Sequence, residues 1–233
     1  MDFANKFLGG GVLSRGCVQE EIMFLEHPEL IAGRLVFRAM GPLDCIVMIG
    51  PEQYSKSSGY SYSTRFNRAG KCTNIRDSKG VIQKEFVAID AIKFKDNYAH
   101  QFKHEIIRRE LNKAYCGFSC TYREGKSLAT GHWGCGAFNG DKDLKCLIQI
   151  LAASAAGYKN VLYTNMDDLE FEERFNKFME VVHEAKLNVS QLHKVVLECC
   201  GPNIPSNPTR YNTKLLTFVT SYINIIYLKK DPL

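Results

Sequence analysis

Apolar positions along the chain gather into short dense runs, and glycine and polar residues concentrate between them, the pattern expected of strands and helices that share a core. The runs at 44–50, 85–91 and 161–164 are short, carry Val or Ile, and read as buried strands. A further strand ends at Asp2-Phe3-Ala4-Asn5, and a short one occupies 127–130. Val18, Ile22, Leu25, Leu30 and Leu35 make a rough helical face, interrupted at His27-Pro28, where proline ends the first helix. Helical spacing also predicts a helix at 101–115 with Ile106, Ile107, Leu111 and Ala114 inward. Others follow at 144–156 with Asp141 or Asp143 as cap, at 172–185, and at 190–199 with Ser190 as cap. The segment 53–80 is polar and loop-like and carries Tyr54, Tyr60 and Tyr62. Beyond Gly201-Pro202 a proline-rich linker leads to an apolar run at 215–228, whose β-branched and aromatic content favours a strand or a core-docking tail. That run is shorter than the roughly 20 residues needed to cross a bilayer. The order of elements argues for an α/β domain with helices on both faces of a largely buried sheet.

Two stretches interrupt this pattern with chemistry. Gly9-Gly10-Gly11 strips every β-carbon from one turn, so a phosphate or sugar can approach bare backbone. Gln19-Glu20-Glu21 follows at a helix start, where the backbone dipole favours carboxylates. Neighbouring helical residues point roughly 100° apart, so Glu20 and Glu21 cannot face each other across one bond. Glycosidases with two working carboxylates hold them about 5 to 10 Å apart; an adjacent pair suits one acid/base and one positioning group. The second stretch, 130–141, holds Gly131, Gly134, Gly136 and Gly140 ahead of a strong helix, and its backbone N–H groups make a candidate diphosphate cradle.

Composition changes this picture little. With 233 residues, 45% of them hydrophobic and 24% charged, the chain fits one soluble globular domain. A net charge of +5 suits a polyanionic ligand and equally suits simple solubility. Nine cysteines, an odd number with no secretory leader ahead of them, point to a reducing compartment. Cys116 with Cys120, and Cys199 with Cys200, lack a second pair at zinc-like spacing and read as buried free thiols. His100 and His104 lack the acidic partner of a zinc-hydrolase motif and read as surface residues.

Taken as a string, Gly9-Gly10-Gly11 followed by Gln19-Glu20-Glu21 resembles the signature of the poly(ADP-ribose) glycohydrolases. Further matches occur in the same order: Glu52-Gln53-Tyr54-Ser55 with Gly59-Tyr60, Val87-Ala88-Ile89-Asp90-Ala91, Arg108 to Phe118, and Ala129 to Phe138. The resemblance implies a macrodomain-like three-layer α/β/α fold with a mixed sheet. Residues 1–200 would be a partial catalytic domain lacking some leading strands, and residues 201–233 a tail the resemblance does not cover.

The activity it implies is hydrolysis of ribose–ribose O-glycosidic bonds in poly(ADP-ribose), with no metal and no cofactor. Glu21 is the implied acid/base, helped by a raised pKa, and Glu20, Gln19, Asp2 and Asn5 position the riboses. Gly9, Gly10, Gly11, Gly134, Cys135, Gly136 and Ala137 contact substrate, Tyr60 stacks on adenine, and Phe138 packs against a ribose. The implied partners are poly(ADP-ribose) and ADP-ribosylated proteins inside the cell, in the nucleus or cytoplasm, without a membrane or sequence-specific nucleic acid. Ser57, His132 and Met166 depart from the family pattern. Two other readings stay open on the residues: a binding module that keeps the cradle without turnover, and a hydrolase that removes terminal ADP-ribose from proteins.

Overall fold

The computed structural model describes residues 1–70, 75–94, 97–201 and 214–230. Two compact units emerge from the chain: Met1–Ala91 with Cys116–Arg123, and Ile92–Tyr115 with Glu124–Leu233.

The first unit is built on a mixed three-stranded sheet of β1 (Asp2–Ala4), β5 (Glu85–Asp90) and β2 (Ile46–Ile49), in the order β1-β5-β2. β1 runs parallel to β5 and β2 antiparallel, and both register on one residue, Ala88, which faces Asp2 on one side and Ile46 on the other. β5 is buried from Phe86 to Asp90, as its near-continuous apolar sequence requires of a central strand. β2 departs from expectation: Ile46 is buried, but Ile49 at its end is exposed. The core of this unit gathers Ala4, Leu8, Met23, Phe24, Leu30, Met40, Ile46, Phe86 and Ala88. Met23 and Phe24 belong to α1 (Gln19–Glu26) and follow Glu20 by three and four residues, the spacing that puts helical side chains on one face. Burying them fixes the direction in which the first turn presents its two carboxylates.

α1 stops at His27, and Pro28 opens a 3₁₀ turn (Pro28–Ala32) that leads into the single-turn α2 (Gly33–Val36). The segment expected as a polar loop contains instead an antiparallel hairpin, β3 (Ser55–Ser58) with β4 (Arg65–Arg68), closed through a 3₁₀ turn at Ser61–Ser63. Its serine and arginine content hid it, because β4 is exposed throughout and shows no apolar alternation. Glu26 of α1 anchors the hairpin, accepting from Ser57 N–H at 2.6 Å and from Gln53 Nε2 at 3.2 Å.

α3 (His104–Thr121) starts in the second unit and ends in the first, and it outruns the expected 101–115. Ile107 and Ala114 are buried as expected, whereas Ile106 and Leu111 are half-buried. His104 is held by backbone, its Nε2 lying 2.9 Å from the Leu197 carbonyl oxygen and 2.6 Å from that of Cys200.

In the second unit β6 (Leu128–Gly131) pairs in parallel with β7 (Val161–Thr164), joined by α4 (Lys142–Ala156). α4 buries most of its length; its N-cap is Asp141, whose carboxylate accepts from Leu144 N–H at 2.7 Å, and it closes on Gly157 in the left-handed conformation, φ +97°. β7 is not the buried strand expected: it alternates half-buried and exposed positions. α5 (Leu169–Glu184) and α6 (Val189–Cys199) follow. The cap of α6 is Asn188 rather than Ser190, because Asn188 and Gln191 exchange side-chain and backbone hydrogen bonds as a capping box, at 2.9 and 3.0 Å. The proline-rich linker lies outside the described residues. Of the two forms expected, strand or core-docking tail, the apolar run after it is not a strand but packs its apolar face inward as α7 (Leu215–Ile223), followed by a π-helical turn (Asn224–Leu228). Leu215, Leu216, Val219, Thr220 and Ile223 are buried at helical spacing, a period that outweighs β-branched content. Among the described residues no helix is long and apolar enough to cross a membrane.

Candidate active site

The signature residues of the first unit converge at the N-terminus of α1. Glu20 is 2% exposed and Glu21 6%, so neither is the solvated surface carboxylate that an arbitrary Glu-Glu step would be. Each is satisfied by two backbone N–H groups. Glu20 accepts from Asn5 at 2.8 Å and Gly9 at 2.5 Å. Glu21 accepts from Gly11 at 2.8 Å and, as the third residue of the helix folding back on the residue before it, from Val18 at 3.0 Å. The end of β1, the glycine turn and the helix start are therefore tied together by two carboxylates.

The glycine turn serves this arrangement directly. Gly9 and Gly10 have φ of +79° and +47°, values that L side chains rarely adopt. A β-carbon on Gly10 would collide with the carboxylate oxygens of both Glu20 and Glu21, and one on Gly16 would stand 2.6 Å from Glu21 Oε1. The bare backbone expected to receive a ligand thus first makes room for the two carboxylates. Gly16 was not singled out from sequence; the available signal was a second glycine between the triplet and the helix. Arg34 was also missed. From α2 its Nη1 donates to the carbonyls of Leu8 at 3.1 Å and Gly10 at 2.6 Å and clamps the turn from behind.

Other expected residues fall in the same place with specific duties. Gln19 extends the edge of β1, its Oε1 accepting from Phe3 N–H at 2.8 Å and its Nε2 donating to the Met1 carbonyl at 3.1 Å. Asn5 spends its side-chain oxygen on Phe7 N–H at 3.0 Å, a local turn. Asp2 is completely buried, and neither carboxyl oxygen has a hydrogen-bond partner among the described residues. Burial, with the Glu20 carboxylate beside it, pushes its pKa well above the usual carboxylate range. Burial likewise raises Glu20 to about 7; the N–H groups of Asn5 and Gly9 oppose the shift and the charge of Glu21 adds to it. Tyr60, 42% exposed, has its phenol oxygen at the N–H of Gln19, with Glu21 the carboxylate that acts on it. Cys17 fastens the loop after Tyr60 by donating to the Ser61 carbonyl at 3.1 Å.

The second unit carries the other expected stretch. Trp133 is fully buried with Lys145 Nζ 4.0 Å above its ring, and Lys145 pairs with the buried Glu110. Gly134 has φ +74°, and a β-carbon on Gly140 would come within 2.8 Å of the Gly134 carbonyl oxygen, so both are glycines for internal reasons. Gly136 differs: it has no positive φ, and nothing lies within 4 Å of the space its β-carbon would fill. Gly136 and Ala137 are exposed, and Phe138 is half-buried with its carbonyl accepting from Phe94 N–H at 2.9 Å. The Cys135 thiol donates to the Trp133 carbonyl at 3.5 Å, and burial pushes its pKa up, so it remains protonated. The helix end behind the loop is less open than expected. Asp141 caps it and also accepts from the Tyr98 hydroxyl at 2.5 Å, which leaves the loop at Gly136 as the accessible part. His132 ties β6 to the region after β7, its Nδ1 lying 3.1 Å from the Tyr163 hydroxyl and its Nε2 3.0 Å from the Asn165 carbonyl. Met166 is exposed with φ +55°. Ser57 is held in the hairpin opposite Phe66.

Comparison with known proteins meets this geometry. A family model described as poly(ADP-ribose) glycohydrolase (PARG), macro domain fold, matches residues 1–173. Among relatives, poly(ADP-ribose) glycohydrolase 1 of Caenorhabditis elegans is 36% identical over 84% of this chain and 26% of its own length. Poly(ADP-ribose) glycohydrolase 2 of the same organism is 33% identical over 87% of this chain and 44% of its own. Poly(ADP-ribose) glycohydrolase 1 of Arabidopsis thaliana is 31% identical over 85% and 48%. The chain therefore spans between about a quarter and about half the length of these relatives. With the family match covering the glycine turn, both carboxylates and the second glycine-rich loop, the chain belongs to the poly(ADP-ribose) glycohydrolase family, whose catalytic domain has the macro domain fold.

Proposed function

We propose that this chain hydrolyses the ribose–ribose O-glycosidic bond of poly(ADP-ribose), with Glu21 as the acid/base. The observation that carries this reading is the pair of buried carboxylates locked by backbone N–H groups to a glycine turn that leaves no room for any other side chain. A structural ion pair would need a cation between them. What stands here instead is a rigid acid/base platform of the kind acetal cleavage uses.

The roles divide by surroundings. Glu20 lies on the side of β1 and the buried Asp2, where it joins the strand end to the turn. Glu21 lies on the side of the exposed Tyr60, so it is the carboxylate a bound adenosine diphosphate ribose unit would meet. Its two oxygens are fixed by Gly11 and Val18, which removes the reorientation that a free side chain would need before proton transfer. As the glycosidic bond breaks, the oxocarbenium-like transition state asks for a proton on the departing ribose oxygen, and the resulting carboxylate then activates water. Tyr60 offers an aromatic face for a purine, a contact worth on the order of 1–3 kcal/mol.

In the second unit, the uncrowded backbone at Gly136 and Ala137 supports contact with a diphosphate through N–H groups, with Phe138 against a ribose. ADP-ribosylated proteins are the implied carriers of the polymer.

The test is release of ADP-ribose from purified polymer. Wild-type chain should release it and Glu21→Gln should not, while Glu21→Gln keeps its affinity for ADP-ribose. Normal turnover by Glu21→Gln with loss in Glu20→Gln would reverse the roles; turnover by both would end the proposal.

A further inference from the structure

The first unit brings together three thiols that are far apart or unremarkable in sequence. Cys45 immediately precedes β2, and Cys116 and Cys120 stand one turn apart near the end of α3. Their sulfur atoms all lie within 4.8 Å of one another. Gly117 makes the approach possible. A β-carbon there would stand 2.8 Å from Ile89 Cγ2 and 3.0 Å from Val87 Cγ2, with Cys45 Cβ at 3.8 Å. Any side chain at 117 would lift the end of α3 off β5 and carry the thiols of 116 and 120 away from Cys45.

We propose that Cys45, Cys116 and Cys120 form a three-thiolate site for a soft, thiophilic metal ion, for which zinc(II) is the probe. Zinc–sulfur bonds of about 2.3 Å at a tetrahedral centre put sulfur atoms roughly 3.8 Å apart, so the three need to close by less than about 1 Å to share an ion. Two ligands four residues apart on a helix project from one face, and the third comes from a strand start held against that face by Gly117. Thiolate sets select zinc and copper(I) over hard cations such as magnesium and calcium. Among the described residues no histidine or carboxylate joins the cluster, so the fourth position falls to water or an external ligand. Cys120 is exposed and provides the entry path.

Proton balance gives the site a signature. Cys116 Sγ lies 2.9 Å from the Leu43 carbonyl oxygen as a thiol donor, and burial, with the neighbouring thiols, pushes the Cys45 thiol up. A cysteine thiol ordinarily titrates above neutral pH and becomes a metal ligand only as the thiolate. Binding one divalent ion exchanges three S–H protons for three metal–sulfur bonds, releasing about three protons per ion. The bound ion would pin the start of β2 to the end of α3 within the same unit.

The reduced 233-residue chain should be titrated with zinc against a chromophoric chelator in a thiol-free reductant, with proton release followed in parallel. One tight equivalent is expected, with about three protons released, three sulfur neighbours at about 2.3 Å by zinc X-ray absorption, and a raised melting temperature. Cys120→Ser, altered at an exposed position, should keep the parent fold and lose the tight equivalent. Zinc uptake by the reduced chain equal to that of Cys120→Ser would overturn the proposal, as would fewer than three sulfur neighbours. So would formation of a disulfide between Cys45 and either helical thiol in air with no tight zinc uptake after its reduction.

Discussion

The backbone of Gly16 lies against the carboxylate of Glu21, so that a β-carbon at position 16 would stand 2.6 Å from Oε1 and 2.7 Å from Cδ. The residue with the proposed chemistry is thus placed by the absence of a side chain five positions earlier. Gly16→Ala has to displace Glu21 or the turn. Overpacking of this kind costs about 1–3 kcal/mol, and a misplacement near 1 Å costs roughly 10²-fold in rate. We expect a modest loss of melting temperature and a far larger loss of ADP-ribose release; a variant that turns over normally would mean that Glu21 is not held where its chemistry requires.

Glu20 predicts a pH dependence of folding. Its carboxyl rises from about 4.5 to about 7 on folding, burial being the main cause. A group raised in this way keeps its proton in the native state where the unfolded chain has lost it. The stability it gives is complete below about pH 4.5, falls as pH climbs towards 7, and is gone above. The change is about 3 kcal/mol over that window. Denaturant midpoints at pH 5 and pH 8 should therefore fall for the wild type, and Glu20→Gln should show a flatter profile. Parallel profiles would refute the assignment.

Arg34 is not itself an expected substrate residue, yet its guanidinium holds the carbonyls of Leu8 and Gly10 and lowers the pKa of Glu20 through its charge. Hydrogen bonds to a charged donor contribute about 1.5–3 kcal/mol. Arg34→Ala should lose about that much stability and also move the pH at which Glu20 titrates upward, a readout that lost packing alone would leave unmoved. Arg34→Lys keeps the charge and should restore the titration more than the stability.

How much of this was legible beforehand follows from range in sequence. The carboxylate pair, the glycine turn and the proline stop of α1 are local patterns within one stretch, and the structure places them together. β1 and β5 followed from the runs alone, and the cap of α4 was narrowed to Asp141 or Asp143, of which the structure uses Asp141. What failed was information that only contacts provide. The β3–β4 hairpin has no apolar face to announce it. α7 was hidden because Thr, Val and Ile content was weighed above the spacing of its buried residues. Arg34 and Gly16 act on residues their own segments do not contain, and the closeness of Cys45 to Cys116 depends on Gly117 seating a helix on a sheet. The capped end of α4 is a different lesson: a glycine-rich loop before a helix suggested an open anion site, but the same Asp141 that marked the helix start occupies it.

The glycines of the second loop can be told apart by experiment. Gly140 is a glycine because a β-carbon would come within 2.8 Å of the Gly134 carbonyl oxygen, whereas Gly136 faces open space without a positive φ. Gly140→Ala should therefore lower the melting temperature, at a cost of about 1–3 kcal/mol. Gly136→Val, at an exposed position, should change stability by no more than about 0.5 kcal/mol. If the bare backbone at 136 receives a diphosphate, valine there blocks an N–H contact to a charged group, which is worth about 1.5–3 kcal/mol. The affinity for ADP-ribose should then fall roughly ten- to hundredfold. Calorimetric titration of ADP-ribose into both variants, paired with thermal melts, reads the two effects separately. Unchanged affinity in a fully folded Gly136→Val protein would remove this loop from substrate binding and leave the carboxylate site of the first unit standing on its own evidence.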